Sequence, residues 1–273
     1  MPKVRTSDGL ELTYTTRGDA DGAPILFLHG LHLTGAMWDE AASRLPRGWR
    51  GIMPDLRGHG ATPPAPPGTD ATADPSPSVA RLARDAIDLL DVVAPTQPAV
   101  IAGLSMGGYV AFEIFRLASA RVRALVLVDT RAGADNEEAA RAREIKAHTA
   151  LRGGGGEIAD EMVQRIFGSS ASPSLREQYR GIIAASNPAG MAWTLRALAR
   201  RPDSVPTLPT IRIPTLIVVG SEDQVTPPAE ARAMQAAIRG ARLAEIPGAG
   251  HMTPVEQPHE FSRVLSEFLE SLP

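Results

Sequence analysis

The sequence has 273 residues, of which 43% are hydrophobic and 22% charged, and a net charge of −3. This composition is that of a globular protein and excludes disorder and a membrane bundle, and no basic stripe suited to nucleic acid is present. The chain contains no cysteine, which excludes disulfides, thiolate catalysis and cysteine-ligated zinc.

The N-terminal segment MPKVRTSDGLEL lacks the apolar stretch of a signal peptide. No apolar run approaches the roughly 18 residues of a membrane-spanning helix. We therefore expect a soluble, cytoplasmic protein with no membrane partner and no nucleic-acid partner.

Strand and helix patterns alternate along the chain. LELTYTTRG (10–18) has the polar–apolar alternation of a half-buried strand, and APILFLHG (23–30) is typical of a strand buried on both faces. Further buried runs follow at 50–58, 98–105, 123–130 and 214–223, and helical patterns lie around 37–45, 79–93, 106–118 and 228–238. This order predicts an α/β fold, a mostly parallel sheet with helices on both faces, with the weaker first strands at an antiparallel edge.

One interval interrupts the alternation. Residues 131–206 contain four helical patterns and no buried strand, although a simple crossover needs only about a dozen residues. We predict that 131–206 forms a helical cap (lid) inserted above the carboxyl edge of the sheet, and that 1–130 and 207–273 form the core domain. The proline-rich stretch 61–78 is expected to be a surface loop.

The stretch AGLSMGGYV (102–110) contains one serine, with a glycine two positions away on each side. Residues 103–107 match G-x-S-x-G, after a buried strand and before an apolar helix. Reversing the chain there strains the backbone of Ser105 and exposes its hydroxyl, and Gly103 and Gly107 leave room for the bend. This predicts a nucleophile; an ordinary helix N-cap is the alternative.

A serine nucleophile needs a base and a group that orients the base. The stretch LAEIPGAGHMTPVEQP (243–258) is predicted to be a last strand followed by a glycine-rich loop, and His251 lies in this loop. An ordinary surface histidine is the alternative. Asp223 and Asp129 each follow a buried strand. The chain order Ser, Asp, His favours Asp223 as the orienting acid, and Asp129 is the alternative.

The remaining site predictions concern the oxyanion and the substrate pocket. The backbone N–H groups of Leu31 and Met106 are expected to face each other and stabilise an oxyanion. His32, Trp38 and Trp193 are candidates for the pocket lining, although tryptophans at such positions more often belong to the core.

No metal site is expected. Asp70 and Asp74 lack the spacing of a calcium-binding loop. The glycine run 153–156 lacks the preceding strand and the following Lys-Ser/Thr of a phosphate-binding loop.

These segments, in this order and at this spacing, resemble the α/β-hydrolase superfamily over nearly the whole chain. The stretches 129–145 and 187–201 resemble the cap of the 3-oxoadipate enol-lactonase-like and small-ester carboxylesterase group. The resemblance implies a serine hydrolase that acts on a small-molecule ester or lactone and needs no cofactor. Ser105 at the elbow argues against the dehalogenases and epoxide hydrolases of this fold, which have aspartate there.

We therefore predict that Ser105 attacks a carbonyl, His251 accepts and returns its proton, and Asp223 orients the imidazole. Three alternatives stay open. The same triad could cleave a carbon–carbon bond in a dienoic ketoacid. Met106 after the serine also occurs in cofactor-free perhydrolases, and a hydrolase-shaped receptor could retain the triad.

Overall fold

In the residues that this computed structural model describes, 1–70 and 77–273, eight strands form one sheet. In chain order they are β1 (Lys3–Arg5), β2 (Glu11–Gly18), β3 (Ala23–Leu28), β4 (Trp49–Pro54), β5 (Ala99–Leu104), β6 (Val122–Val128), β7 (Thr215–Gly220) and β8 (Arg242–Ile246). Their order across the sheet is β1-β2-β4-β3-β5-β6-β7-β8. Residues 71–76, within the stretch expected to be a surface loop, lie outside the described residues, and so does Asp74.

The described residues form ten α-helices, of which α1 to α8 agree with the predicted patterns to within a few residues. They are α1 (Asp39–Ser43), α2 (Val79–Val93), α3 (Met106–Ala118), α4 (Glu137–Leu151), α5 (Gly155–Ile166), α6 (Pro173–Ala184), α7 (Pro188–Ala199), α8 (Pro228–Ala237), α9 (Thr253–Glu256) and α10 (Pro258–Glu270). Polar side chains cap several N-termini, because an N-cap oxygen satisfies an amide left free by the helix. Ser78, Asn136, Ser172 and Asn187 each accept a hydrogen bond from the amide three residues further on.

The sheet is parallel from β4 through β8 and antiparallel at β1 and β2, which confirms the predicted fold class and the antiparallel edge. Only β1 was not predicted, because three residues are too few to show a period. The register pairs Leu28 with Gly103 and Leu104 with Val128, so β3, β5 and β6 end at the same level. Residues that follow these strands therefore meet at one edge.

Apolar side chains cover both faces of the sheet. Along β3, Ile25 and Phe27 belong to the core layer that contains α1 and α10, whereas Leu26 and Leu28 belong to the layer that contains α2 and α3. This is why the strand patterns are continuously apolar.

In the chain, helices α4 to α7 follow β6 and precede β7. Helix α4 packs along α7, and α5 packs along α6. They contact the sheet edge through backbone groups: the Ile166 carbonyl accepts a 2.9 Å hydrogen bond from the His251 amide. The division into a core domain and a cap domain, 131–206, stays a prediction. No helix in the described part of the chain is long and apolar enough to cross a membrane.

The start of α7 packs directly on the loop after β4. A Cβ atom on Gly190 would lie 2.0 Å from the carbonyl oxygen of Gly58, so the two backbones touch and leave no room for a side chain. On α6, by contrast, a Cβ on Gly181 would meet no atom within 4 Å.

We therefore expect Gly190→Ala to lower the free energy of unfolding by about 1–3 kcal/mol, because the new methyl forces α7 away from the loop. The matched variant Gly181→Ala should raise it by about 0.5–1 kcal/mol, because alanine favours an open helical position. Urea unfolding of both variants measures these changes. Equal midpoints for Gly190→Ala and the unmodified protein would contradict the close contact.

Candidate active site

Ser105 joins β5 to α3 in a strained backbone conformation. Its φ of 53° and ψ of −111° lie in a region that non-glycine residues rarely adopt. Its N–H donates to the Val128 carbonyl (2.9 Å), and its carbonyl accepts from the Thr130 hydroxyl (2.8 Å). Ser105 occupies the N-cap position of α3, but its side chain makes no capping hydrogen bond, so its hydroxyl does not act as an ordinary cap.

Close backbone packing explains both glycines of the elbow. A Cβ atom on Gly103 would lie 2.2 Å from the Gly107 carbonyl oxygen, and one on Gly107 would lie 2.1 Å from the Leu28 carbonyl oxygen. Real Cβ atoms do not approach so closely. The turn is therefore possible only with glycine at these two positions.

His251 is paired with Asp223. The His251 Nδ1 atom lies 2.8 Å from Asp223 Oδ2, and both side chains are almost completely buried. The other Asp223 oxygen accepts from the amides of Val225 (2.7 Å) and Thr226 (2.9 Å), and the Thr226 hydroxyl donates to Oδ2 (2.8 Å). These bonds hold the carboxylate in place, and an Nδ1–H donor leaves Nε2 of His251 free to accept a proton.

The pair shifts the pKa of each member toward the charged form. Burial lowers the pKa of His251, but the Asp223 carboxylate opposes burial and brings the pKa above the ordinary 6.5. Burial raises the pKa of Asp223, but the attraction of His251 and the donated hydrogen bonds bring it below the ordinary 3.8. Asp223 is therefore ionised over the neutral pH range.

Ser105 and His251 line the same cavity, which has a volume of about 400 Å³. Leu31, His32 and Met106 also line it. Met106 begins α3, where the first amides have no partner within the helix, and Leu31 follows the end of β3. The cavity thus brings the predicted nucleophile, base and oxyanion residues to one place.

Comparison with protein families agrees with this arrangement. The model of the "Alpha/beta hydrolase family" matches residues 25–264. The chain belongs to the alpha/beta hydrolase family. A solved structure of a thermophilic esterase from Thermogutta terrifontis, with malate bound, is 36% identical to this hydrolase, with a TM-score of 0.91 over 99% of this chain and 98% of that one.

Curated relatives are more distant. A 3-oxoadipate enol-lactonase from Acinetobacter baylyi is 26% identical over 98% of this hydrolase and 97% of the relative. A non-heme chloroperoxidase from Kitasatospora aureofaciens is 29% identical over 98% of this hydrolase and 99% of the relative.

Asp129, the alternative acid, has other partners in this hydrolase. One oxygen accepts from the Gly220 amide (2.9 Å), and the other accepts from the amide (3.0 Å) and hydroxyl (2.5 Å) of Thr253. Burial and the nearby Asp223 carboxylate raise the pKa of Asp129 to about 7. Asp129 therefore joins the end of β6 to the loops that precede Asp223 and follow His251.

The two predicted tryptophans do not lie at the cavity. Trp38 packs between Phe27 and Phe261, with ring centroids 5.0 and 5.9 Å away, and is fully buried in the core. Trp193 is buried on α7, where the guanidinium of Arg57 lies 5.8 Å from its ring. Both expectations are corrected: each large ring faces the packed interior of the fold.

Two buttressing residues were not predicted. Thr226 binds Asp223 as described above. The Glu256 carboxylate accepts from the amides of Gly250 (2.9 Å) and Met252 (3.1 Å), on either side of His251, and from Gly168 (2.7 Å) after α5. The order D-x-x-T in 223–226 is a local signal for Thr226, but nothing local indicates that Glu256 reaches Gly168.

Within residues 1–70 and 77–273, no group of three or more His, Asp or Glu side chains is arranged to hold a metal ion.

The Thr226 hydroxyl yields a stability prediction. Thr226→Val keeps the shape but removes a donor to a buried, ionised carboxylate, so we expect a loss of about 1.5–3 kcal/mol in the free energy of unfolding. Thr226→Ser keeps the hydroxyl and removes one methyl, so it should cost only about 0.8 kcal/mol. Urea unfolding at neutral pH compares the two, and equal losses would show that the hydroxyl does not stabilise Asp223.

Proposed function

We propose that this protein is a serine hydrolase that cleaves a small-molecule carboxylic ester or lactone through an acyl-enzyme. The supporting observation is the 2.8 Å contact between His251 Nδ1 and Asp223 Oδ2, at a cavity that Ser105 also lines. The similarity to the esterase from Thermogutta terrifontis and to the enol-lactonase from Acinetobacter baylyi supports the same class of reaction.

The first half of the reaction forms the acyl-enzyme. Ser105 Oγ attacks the carbonyl carbon while its proton passes to Nε2 of His251, and Asp223 stabilises the resulting imidazolium. The backbone N–H groups of Leu31 and Met106 donate to the oxyanion, each with an effect of about 10²- to 10³-fold in comparable sites. The carbon–oxygen bond then breaks, and His251 returns the proton to the leaving alcohol.

The second half repeats these steps with water. His251 removes a proton from water, the hydroxide attacks the acyl carbon, and the bond to Ser105 Oγ breaks as the serine regains its proton. The product is a carboxylic acid. With a lactone the alcohol released in the first half stays attached to the acyl chain, so one hydroxy acid is formed.

Perhydrolysis is the second candidate, and the similarity to the non-heme chloroperoxidase favours it. Hydrogen peroxide would replace water in the second half, so that a peracid leaves and Ser105 is regenerated. The first half is common to both candidates. Carbon–carbon cleavage and the receptor role stay without a specific observation in their favour.

Replacement of the nucleophile tests the proposal. Ser105→Ala should lower kcat for 4-nitrophenyl acetate and butyrate by a factor on the order of 10⁴ to 10⁶, because no group remains to form the acyl-enzyme. Ser43→Ala, which alters an exposed hydroxyl on α1, is the matched control and should keep full activity. Full turnover by folded Ser105→Ala, checked by circular dichroism, would refute the assignment.

The pH dependence tests the base. Only neutral His251 can accept the serine proton, so kcat/KM should rise with pH, and the raised pKa places the midpoint above 6.5. Asp223→Asn removes the carboxylate that raises this pKa, so the residual activity should have a lower midpoint. Initial rates of 4-nitrophenyl acetate hydrolysis, measured from about pH 5 to pH 9, give both midpoints. A flat profile would contradict His251 as the base.

A further inference from the structure

The wall of the cavity has more positive than negative groups. Two carboxylates line it, those of Asp135 and Glu161. Four cationic side chains line it too: Arg131, Arg143, Lys146 and Arg165. The reaction proposed above uses none of these six groups, so their charge needs a separate explanation.

Three arginines converge on one buried carboxylate. Asp135, whose side chain is fully buried, lies 2.7 Å from a guanidinium nitrogen of Arg131 and 2.7 Å from one of Arg201, and it also binds Arg143. Burial alone would raise the pKa of Asp135, but the arginines bring it below its ordinary value, so the carboxylate is ionised. A guanidinium does not lose its proton in proteins. One negative charge therefore faces three positive charges.

Neighbouring acids do not remove this surplus. Glu161 is already paired with Lys146 at 2.7 Å. Glu230 on α8 attracts Arg131, but it does not line the cavity. Arg165 forms no ion pair or hydrogen bond within the described part of the chain. The cavity lining thus has four cations and two acids, and adding Arg201 and Glu230, which lie behind it, gives five cations and three acids.

Arg165 is also close in the chain to the reacting groups. It precedes Ile166, whose carbonyl accepts the backbone N–H of His251 at 2.9 Å. Arg165 is exposed, and its side chain lines the cavity. The unpaired guanidinium of Arg165 thus lies at the end of α5, and the next residue, Ile166, contacts the loop that contains His251.

His32 adds an unpartnered polar group to the same wall. Its side chain is 1% exposed, and neither ring nitrogen has a hydrogen-bond partner within the described residues. Its backbone φ of 58° is in the left-handed region, which a residue of this size rarely adopts. Burial, His59 and the positive charges of Arg143 and Lys146 hold the pKa of His32 well below 6.5, so the ring is neutral. A neutral imidazole has one N–H that can donate to a ligand.

We propose that the substrate is an ester or lactone that bears a carboxylate, and that the arginine-rich wall and the His32 ring bind this carboxylate. Arginine forms charge-assisted hydrogen bonds to carboxylates, and such bonds are about twice as strong as neutral ones. The inference rests on the proposed function, because it concerns the substrate of the same cavity. It adds the charge of the substrate, which the triad does not determine.

A pair of esters of equal chain length tests the proposal. 4-Nitrophenyl hexanoate has an apolar acyl chain, whereas the acyl chain of mono-4-nitrophenyl adipate ends in a carboxylate. We expect kcat/KM to be about 10- to 100-fold higher for the adipate ester, the range expected for a hydrogen bond between charged groups. Arg143→Gln should lower the adipate-to-hexanoate ratio by about 10-fold.

Arg141→Gln is the matched control, because Arg141 is on the same helix as Arg143, is exposed and does not line the cavity. It removes an equal charge and should leave the ratio unchanged. Arg165→Gln is the second test variant. Because Arg165 is exposed and unpaired, its replacement does not endanger folding, and it should lower the ratio even where Arg143→Gln fails to fold.

The outcomes separate the two proposals. Hydrolysis of neither ester by the unmodified enzyme contradicts the proposed function. Hydrolysis of both esters with a ratio near one contradicts the carboxylate site alone. A preference for the adipate ester that survives both Arg143→Gln and Arg165→Gln, or that Arg141→Gln lowers equally, also overturns it.

Discussion

The chain reversal at Ser105 is the constraint on which the rest of this hydrolase depends. A buried parallel strand ends at Leu104 and a buried helix begins at Met106, so a single residue connects them, with a φ of 53°. Such a conformation persists only where the surroundings force it. Here they do so because Gly107 packs against the Leu28 carbonyl, with no space for even a methyl group. The strain of one residue thus follows from close contact between neighbouring backbones.

The parallel register places the bend at Ser105 beside the ends of the neighbouring strands. Because β3, β5, β6 and β7 end at one edge, the residues after them are neighbours in space although they are far apart in the chain. Asp129 adds a second link at this edge, since its carboxylate accepts from Gly220 and Thr253. Glu256 likewise joins the amides around His251 to Gly168 at the end of α5. The loops that hold Asp223 and His251 are therefore fixed by backbone hydrogen bonds to ionisable side chains.

The helices between β6 and β7 contribute the part of the cavity that differs chemically from the triad. Asp223 and His251 are paired with each other and leave little free charge, whereas Asp135 is bound by three arginines from different segments of these helices and their flanks. The cations that line the cavity are partly exposed, so solvent or a ligand can compensate their charge. The sheet edge thus holds the His251–Asp223 pair beside Ser105, and the helical wall holds the surplus of positive charge on which the proposed carboxylate site rests.

The sequence alone was sufficient for the fold class, for most elements and for the pairing of His251 with Asp223. The fold class and the elements depend on local patterns: buried strands are short apolar runs, and the elbow needs glycine at fixed offsets from Ser105. The wrong expectations, Trp38 and Trp193 at the pocket, concern the direction in which a large side chain points. The sequence does not specify the direction of such a side chain, because an apolar ring packs equally well in a core and in the wall of a pocket.

Only the tertiary structure determined which distant groups meet. Glu256 reaches Gly168 across 88 positions of the chain, and Arg201 reaches Asp135 across the four helices α4 to α7. The same holds for His32, whose ring nitrogens have no hydrogen-bond partner among the described residues, because that result depends on every element around the ring. Local patterns record the backbone geometry of a segment, since that is set by neighbouring residues. The charge and hydrogen-bond balance of a cavity is a property of all the segments that close around it, and it exists only once they have packed.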